Sequence, residues 1–286
     1  MRAGAAIFFA TLAATGCGDE IVPASELGAR LFADPSLSPS PVNAFSCATC
    51  HPVTVIPPPA VVDAGALEDA PADAEEDASA PPPAPDAAAG SDRHSGPLYP
   101  GYNLYDSVWR PSWWGTNETH LLDAMNYCLV EFMGGAALDA ADLRARELYE
   151  YLVSISPDEP SPALPLKVVQ NITGLTELAA GADATRGQDV WSRGCRGCHG
   201  EPHSGEGRLG HKTTIVPEDT LKGPVCNPTK NPNAASDPAV RACARVVTVE
   251  KVRHGKFFNI GGLMPLYSEE TLADVEIADI LAYVGL

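Results

Sequence analysis

The chain has 286 residues, with 19 Lys and Arg against 37 Asp and Glu, so its formal net charge is −18. That balance argues against nucleic acid as a partner, because phosphates are bound by basic side chains. The length suits two small domains. Beyond the N-terminus, no stretch of the sequence is long and apolar enough to span a bilayer.

The N-terminus resembles a bacterial export signal. Arg2 supplies the positive charge, and the short, mostly apolar stretch that follows is too short for a mature membrane helix. It ends in Ala14-Thr15-Gly16-Cys17, which resembles a lipobox. The resemblance implies a signal peptide at 1–17 and lipidation of Cys17. The protein would then be lipid-anchored in the cell envelope, facing the periplasm or in the outer membrane. Ordinary cleavage nearby is the alternative.

Two Cys-x-x-Cys-His motifs stand at Cys47–His51 and Cys195–His199. This pattern is typical of covalent haem c attachment, in which both thiols bond the haem vinyl groups and the adjacent His ligates the iron. A bare Cys-x-x-Cys also occurs in zinc and dithiol redox sites, but the trailing His favours haem. The motifs predict two covalently bound haem c groups and their iron, held by these residues: Cys47, Cys50, His51, Cys195, Cys198 and His199.

In chain order, Ser25–Phe32 is predicted to form a helix before the first motif. The motif is followed by Pro57–Pro97, which has nine acids, nine prolines and no aromatic residue. Such a stretch cannot bury enough apolar surface to offset its ordering entropy, so we expect a disordered acidic insertion. We interpret it as a solvated spacer; a docking tail for a basic redox partner is the alternative. After it, Trp109, Trp113 and Trp114 are expected to pack over the first haem.

Amphipathic helices are predicted at the end of each half of the chain. The first lies near Asp139–Ser154, and the proline-rich stretch at 156–166 marks a linker. Asp183–Trp191 is predicted to form a helix before the second motif, as Ser25–Phe32 does before the first. The last helix carries a core-facing stripe at i, i+3, i+4 and i+7: Ile277, Ile280, Leu281 and Val284.

This order of elements resembles class I cytochromes c, which are small all-helical domains. The resemblance implies an all-α fold of two tandem cytochrome c-like domains, at 18–155 and 156–286, joined by a Pro-rich linker. Gly262–Tyr267 is similar to the family's Met-Pro loop, which implies that Met264 is the sixth ligand of the second haem; the alternative is a core methionine. Three histidines are runner-up ligands, each expected on a surface or in a loop: His203, His211 and His254.

The sixth ligand of the first haem has two main candidates. Met133 precedes Tyr151 by 18 residues and Met264 precedes Tyr283 by 19, so Met133 matches Met264 in the pseudo-repeat. Against this, Asn126-Tyr127-Cys128 with Met133-Gly134-Gly135 resembles the first haem domain of thiosulfate dehydrogenases, which implies a Cys128 thiolate ligand. Ligation by Met125 or His120, or an open site, is also compatible with the sequence, and Cys128 would then be a buried free thiol.

A disulfide between Cys226 and Cys243 is predicted in a Pro/Asn-rich loop, because an exported protein can form one.

These features predict a dihaem c-type cytochrome that passes single electrons between periplasmic or membrane redox protein partners. We expect a carrier rather than a catalyst. One alternative is a sulfur-compound oxidoreductase of the thiosulfate dehydrogenase kind, although no basic cluster lies beside either motif in the sequence. A second is a cytochrome subunit of a larger respiratory complex. The segment around the first motif also resembles the opening of dihaem cytochrome c peroxidases, but the remainder departs from that family.

Overall fold

The computed structural model describes residues 22–54, 96–114, 116–156, 172, 181–257, 262–269 and 271–286. Within these ranges the regular structure is helical, and the only strand-like pairing is an isolated bridge between Trp113 and Glu118. The all-α prediction is confirmed. The predicted signal peptide with Cys17, almost all of the acidic insertion and nearly all of the Pro-rich linker lie outside the described residues. None of the helices described is long and apolar enough to cross a membrane.

Nine α-helices and one π-helical turn, Cys128–Phe132, organise the described part of the chain. Short 3-10 turns connect some of them. The helices are α1 (Ala24–Ala33), α2 (Cys47–Cys50), α3 (Leu121–Tyr127), α4 (Leu143–Ile155), α5 (Ala184–Gly194), α6 (Arg196–His199), α7 (Glu218–Lys222), α8 (Pro238–His254) and α9 (Asp274–Tyr283).

Two helix pairs, α1 with α4 and α5 with α9, make the most extensive helix contacts in this structure. Each pair meets at a glycine. A Cβ added at Gly28 would collide with the backbone carbonyl of Glu147, and one added at Gly187 would collide with that of Asp279. The same construction therefore occurs once before and once after the proline-rich stretch at 156–166, and in each pair an aromatic residue, Tyr151 or Tyr283, lies beside the glycine.

The helices predicted at Ser25–Phe32 and Asp183–Trp191 are confirmed as α1 and α5, and the stripe on α9 is buried throughout. The prediction of a helix from near Asp139 is wrong by one turn. The side chain of Asp142 accepts a hydrogen bond from the Arg144 N–H and caps α4, while Asp139 accepts one from Ala141 in the preceding turn.

Replacing Gly187 with alanine should destabilise the protein, because the new methyl group has no room against the backbone of α9. Overpacking of this kind costs about 1–3 kcal/mol, and more when backbone must move. Denaturant unfolding of the haem-loaded protein measures the loss. Gly96→Ala is the matched control, since an added Cβ there meets nothing within 4 Å. Equal stability of the two variants would contradict the close approach of α5 and α9.

Candidate functional site

The first motif forms the single helical turn α2. Its start is fixed by the Thr49 hydroxyl, which accepts a hydrogen bond from the Ser46 N–H at 3.0 Å, and its end by a bond from the His51 N–H to the Cys47 carbonyl, also 3.0 Å. One turn of helix is enough to bring the two thiols and the imidazole to the same cavity, which all three line. We call this set, Cys47, Cys50 and His51, the first site.

The cavity at the first site encloses about 1390 Å³, its open mouth included, and its walls are mainly apolar. Side chains from α1 and α4, from α3 with its π-turn, and from the Trp-rich segment surround it. Three of the candidate sixth ligands line it as well: Met125, Cys128 and Met133. His120 does not; it is exposed at the start of α3, beside Asp123.

His51 is oriented so that its Nε2 atom is available to bind a metal. Its Nδ1 lies 2.8 Å from the carbonyl oxygen of Tyr102, and because a carbonyl only accepts, Nδ1 must carry the proton. Burial lowers the pKa of His51, which favours the neutral ring with a free lone pair on Nε2. Gly101 permits this arrangement, since a Cβ there would collide with the imidazole.

The thiols at the first site lie in an apolar environment. Burial raises the pKa of Cys47 to about 11 and of Cys50 to about 12, and it also raises the pKa of Cys128. All three are therefore neutral thiols at pH 7 in the protein without metal. A thiolate at Cys128 would need a cation, such as iron, to stabilise it.

The two main candidates for the sixth ligand are held by different contacts. Met133 is 3% exposed, and its carbonyl accepts a hydrogen bond from the Ser38 hydroxyl at 2.8 Å. Cys128 begins the π-turn between α3 and Met133. The side chain of Asn126 closes the loop that follows, with two 2.8 Å hydrogen bonds to the backbone of Leu138. The sequence marked Asn126 only as part of a motif.

The tryptophans around the first site divide into two groups. Trp113 and Trp114 line the cavity, as expected. The expectation for Trp109 is wrong: its side chain is 44% exposed at the end of a 3-10 turn and does not line the cavity. A run of aromatic residues does not reveal which of them faces inward when the backbone turns between them.

Two buried donors at the first cavity lack acceptors. Among the described residues, Nε of Arg110 and Nε1 of Trp113 are buried without a hydrogen-bond partner, although the Arg110 guanidinium also contacts Asp106 and the Asn103 carbonyl. Buried donors are rarely left unpaired, so an acceptor is expected there. The two propionate carboxylates of haem fit that need, and the cavity residues are consistent with haem. No local pattern in the sequence indicates that Arg110 folds back beside His51.

The second motif continues α5 into α6, with Cys195 between them. His199 has the same arrangement as His51: its Nδ1 lies 2.8 Å from the Thr214 carbonyl, and burial lowers its pKa. Burial raises the pKa of Cys195 to about 12. The indole of Trp191 donates to the Gly200 carbonyl at 3.0 Å and so fixes the turn that follows the motif. Cys195, Cys198 and His199 are called the second site.

Met264 lies in a loop that several hydrogen bonds hold in place. It is partly buried against the apolar cluster that includes Trp191 and α9. Beyond it, the Tyr267 hydroxyl donates to the Gly194 carbonyl at 2.7 Å, next to the second motif. Arg253 of α8, almost fully buried, donates to the carbonyls of Tyr267 and Ser268. The loop therefore lies beside the second motif, and Met264 remains the candidate sixth ligand there.

The runner-up histidines lie in different settings. His203 pairs with Glu218 at 3.2 Å, and His211 is exposed. The prediction of a surface or loop position is wrong for His254, which is buried in the last turn of α8 because that helix packs into the core.

Cys226 and Cys243 are joined by a disulfide, with Cα atoms 5.4 Å apart. The prediction that both cysteines lie in one loop is wrong, since Cys243 lies within α8.

A comparison with protein families matches residues 182–284 to cytochrome c oxidase, cbb3-type, subunit III. The match spans the second motif, Met264 and α9, and covers about a third of the chain. The comparison with curated proteins gave no match. Covalently bound haem c and electron transfer are the properties that a cytochrome c domain implies. Residues 182–284 are therefore a c-type cytochrome domain, similar to that of the cbb3-type subunit III family.

Proposed function

We propose that the whole chain is a dihaem c-type cytochrome that passes single electrons between redox protein partners. The family match covers only the second site, and one observation supports a haem at the first site as well: His51 and His199 both present Nδ1 to a backbone carbonyl at 2.8 Å, directly after a Cys-x-x-Cys turn. Two independent copies of that arrangement support two iron ligands of the same kind. The repeated glycine contact in α1–α4 and α5–α9 supports two tandem domains, at 18–155 and 156–286.

Haem c, when bound, supplies a one-electron iron couple. Cys47, Cys50, Cys195 and Cys198 would hold it covalently, and His51 and His199 would each present an uncharged Nε2. Met264 would fill the sixth position at the second site, and Met133 or Cys128 would do so at the first. The apolar walls would surround the first haem, and Arg110 with Trp113 would bind its propionates. Filled axial positions favour electron transfer over small-molecule chemistry.

The cellular setting is part of the same proposal. An N-terminal signal with lipidation at Cys17 would anchor the chain to a membrane of the cell envelope, facing the periplasm or in the outer membrane. The disulfide between Cys226 and Cys243 supports an oxidising compartment. The acidic net charge fits basic redox partners better than nucleic acid.

Two further candidate functions have specific support. A sulfur-compound oxidoreductase is favoured by Cys128, which lines the cavity of the first site, because the resemblance to thiosulfate dehydrogenases implies a thiolate ligand at that position. A cytochrome subunit of a larger respiratory complex is favoured by the family match, because the matching family is a subunit of an oxidase.

Haem analysis with a turnover assay tests the proposal. The mature chain, produced in a host that attaches haem c, should carry two covalent haems and should accept and donate single electrons without consuming thiosulfate. Mass spectrometry gives the haem count, and spectral titration gives the number of electrons. One haem per chain would contradict the dihaem proposal. Steady thiosulfate oxidation would favour the oxidoreductase instead.

A further inference from the structure

Residues 255–257, at the end of α8, contact the sixth-ligand segments of both sites. On one side lies the Met264 loop. Gly255 has φ +56°, and a Cβ added to it would stand 2.6 Å from the Leu266 nitrogen and 2.7 Å from the Met264 carbonyl oxygen. Only glycine therefore allows this contact. The Met264 loop in turn reaches the first cavity, where Pro265 and Leu266 form part of the wall.

On the other side lies the π-turn that carries Cys128. Lys256 Nζ donates to the backbone carbonyl of Glu131 at 2.9 Å and forms an ion pair with the carboxylate of the same residue. Both side chains are about one-third exposed, so water screens the pair only in part. Because the ammonium binds backbone as well as side chain, it fixes the path of the turn that leads to Met133.

The ring of Phe257 contacts both ends of the same turn. Its centroid lies 6.2 Å from that of Tyr127, with the planes 11° apart, and 6.2 Å from that of Phe132, edge to face. Tyr127 directly precedes Cys128, and Phe132 directly precedes Met133. Aromatic pairs in these geometries add stability beyond the burial of their surface area. A π-helical turn is locally unfavourable and needs this kind of support.

We infer that Lys256 and Phe257 are positioning residues for the sixth ligand of the first haem, contributed by the part of the chain that holds the second. Gly255 keeps the same segment against the Met264 loop. The ligand segments of the two sites are thus held by one three-residue stretch. This inference rests on the proposed dihaem function, and it adds that the first site is complete only when the C-terminal half is packed against it.

The test compares substitutions in the full, haem-loaded chain by low-temperature EPR and redox titration. Lys256→Met should shift the g values and the reduction potential of the first haem and leave those of the second unchanged. Lys256→Arg, which can still donate to Glu131, should restore the wild-type signals. Lys222→Met is the matched control, since that lysine forms an ion pair with Glu218 on α7. Phe257→Leu should act on the first haem as Lys256→Met does.

Gly255, next to Lys256, tests the contact with the Met264 loop. Gly255→Ala should alter the signal of the second haem, because its Cβ would displace the Met264 loop. An unchanged first-haem signal in both Lys256→Met and Phe257→Leu, or equal changes at both haems in each, would overturn the inference. If the EPR signal and the reduction potential of the second haem are unchanged in Gly255→Ala, the inference that Gly255 positions the Met264 loop is wrong. A wild-type chain with one haem defeats the proposed function instead, and haem counting detects that first.

Discussion

Replacing Cys47 and Cys50 together with alanine should reduce the covalent haem content from two per chain to one. The thioether bonds at the first site would be lost, while Cys195 and Cys198 would still hold the second haem. Mass spectrometry of the denatured protein measures this directly, and it does not depend on whether the first half still folds. The reciprocal double variant, Cys195→Ala with Cys198→Ala, should also leave one haem.

Cys128→Ala is the matched control for this experiment, because it removes a thiol from the same cavity. Cys128 stands outside both motifs, so both haems should remain covalently attached in this variant. Two covalent haems after loss of Cys47 and Cys50 would show that the first motif is not an attachment site. Loss of both haems from that double variant would show that maturation of the second site depends on the first.

Local patterns predicted much of the fold. The α9 stripe and the helices before both motifs are set by interactions within a few turns, so periodicity alone could place them. The start of α4 was misplaced because an Asp cap outweighs apolar spacing there, and Asp142 was available in the sequence as the signal.

Contacts between distant segments could not be predicted in this way. Arg110 reaches the first cavity because the chain returns to His51 through Gly101 and Tyr102, after the long acidic segment in the sequence. The contact between Lys256 and Glu131 likewise joins residues that no periodicity relates. The motifs could name the haem cysteines and histidines, whereas the groups that surround them depend on packing.

Met133→Ala should change the first haem from six-coordinate to a form with an open or water-filled axial position. The thioether of Met133 is buried at the cavity and stands where Met264 does in the pseudo-repeat. Losing a methionine ligand should also lower the reduction potential, because the thioether favours ferrous iron. EPR of the ferric protein would show a new high-spin signal, and the signal of the second haem would persist.

Cys128→Ala separates this result from thiolate ligation. If Met133 is the ligand, Cys128→Ala should leave both haem signals in place, because removing a thiol that does not bind the iron leaves its axial ligands unchanged. If the thiolate is the ligand, Cys128→Ala should instead abolish the low-spin signal of the first haem and raise its potential, since a thiolate stabilises ferric iron. That outcome, with Met133→Ala silent, would contradict methionine ligation and make the sulfur-compound oxidoreductase the better account of the first site.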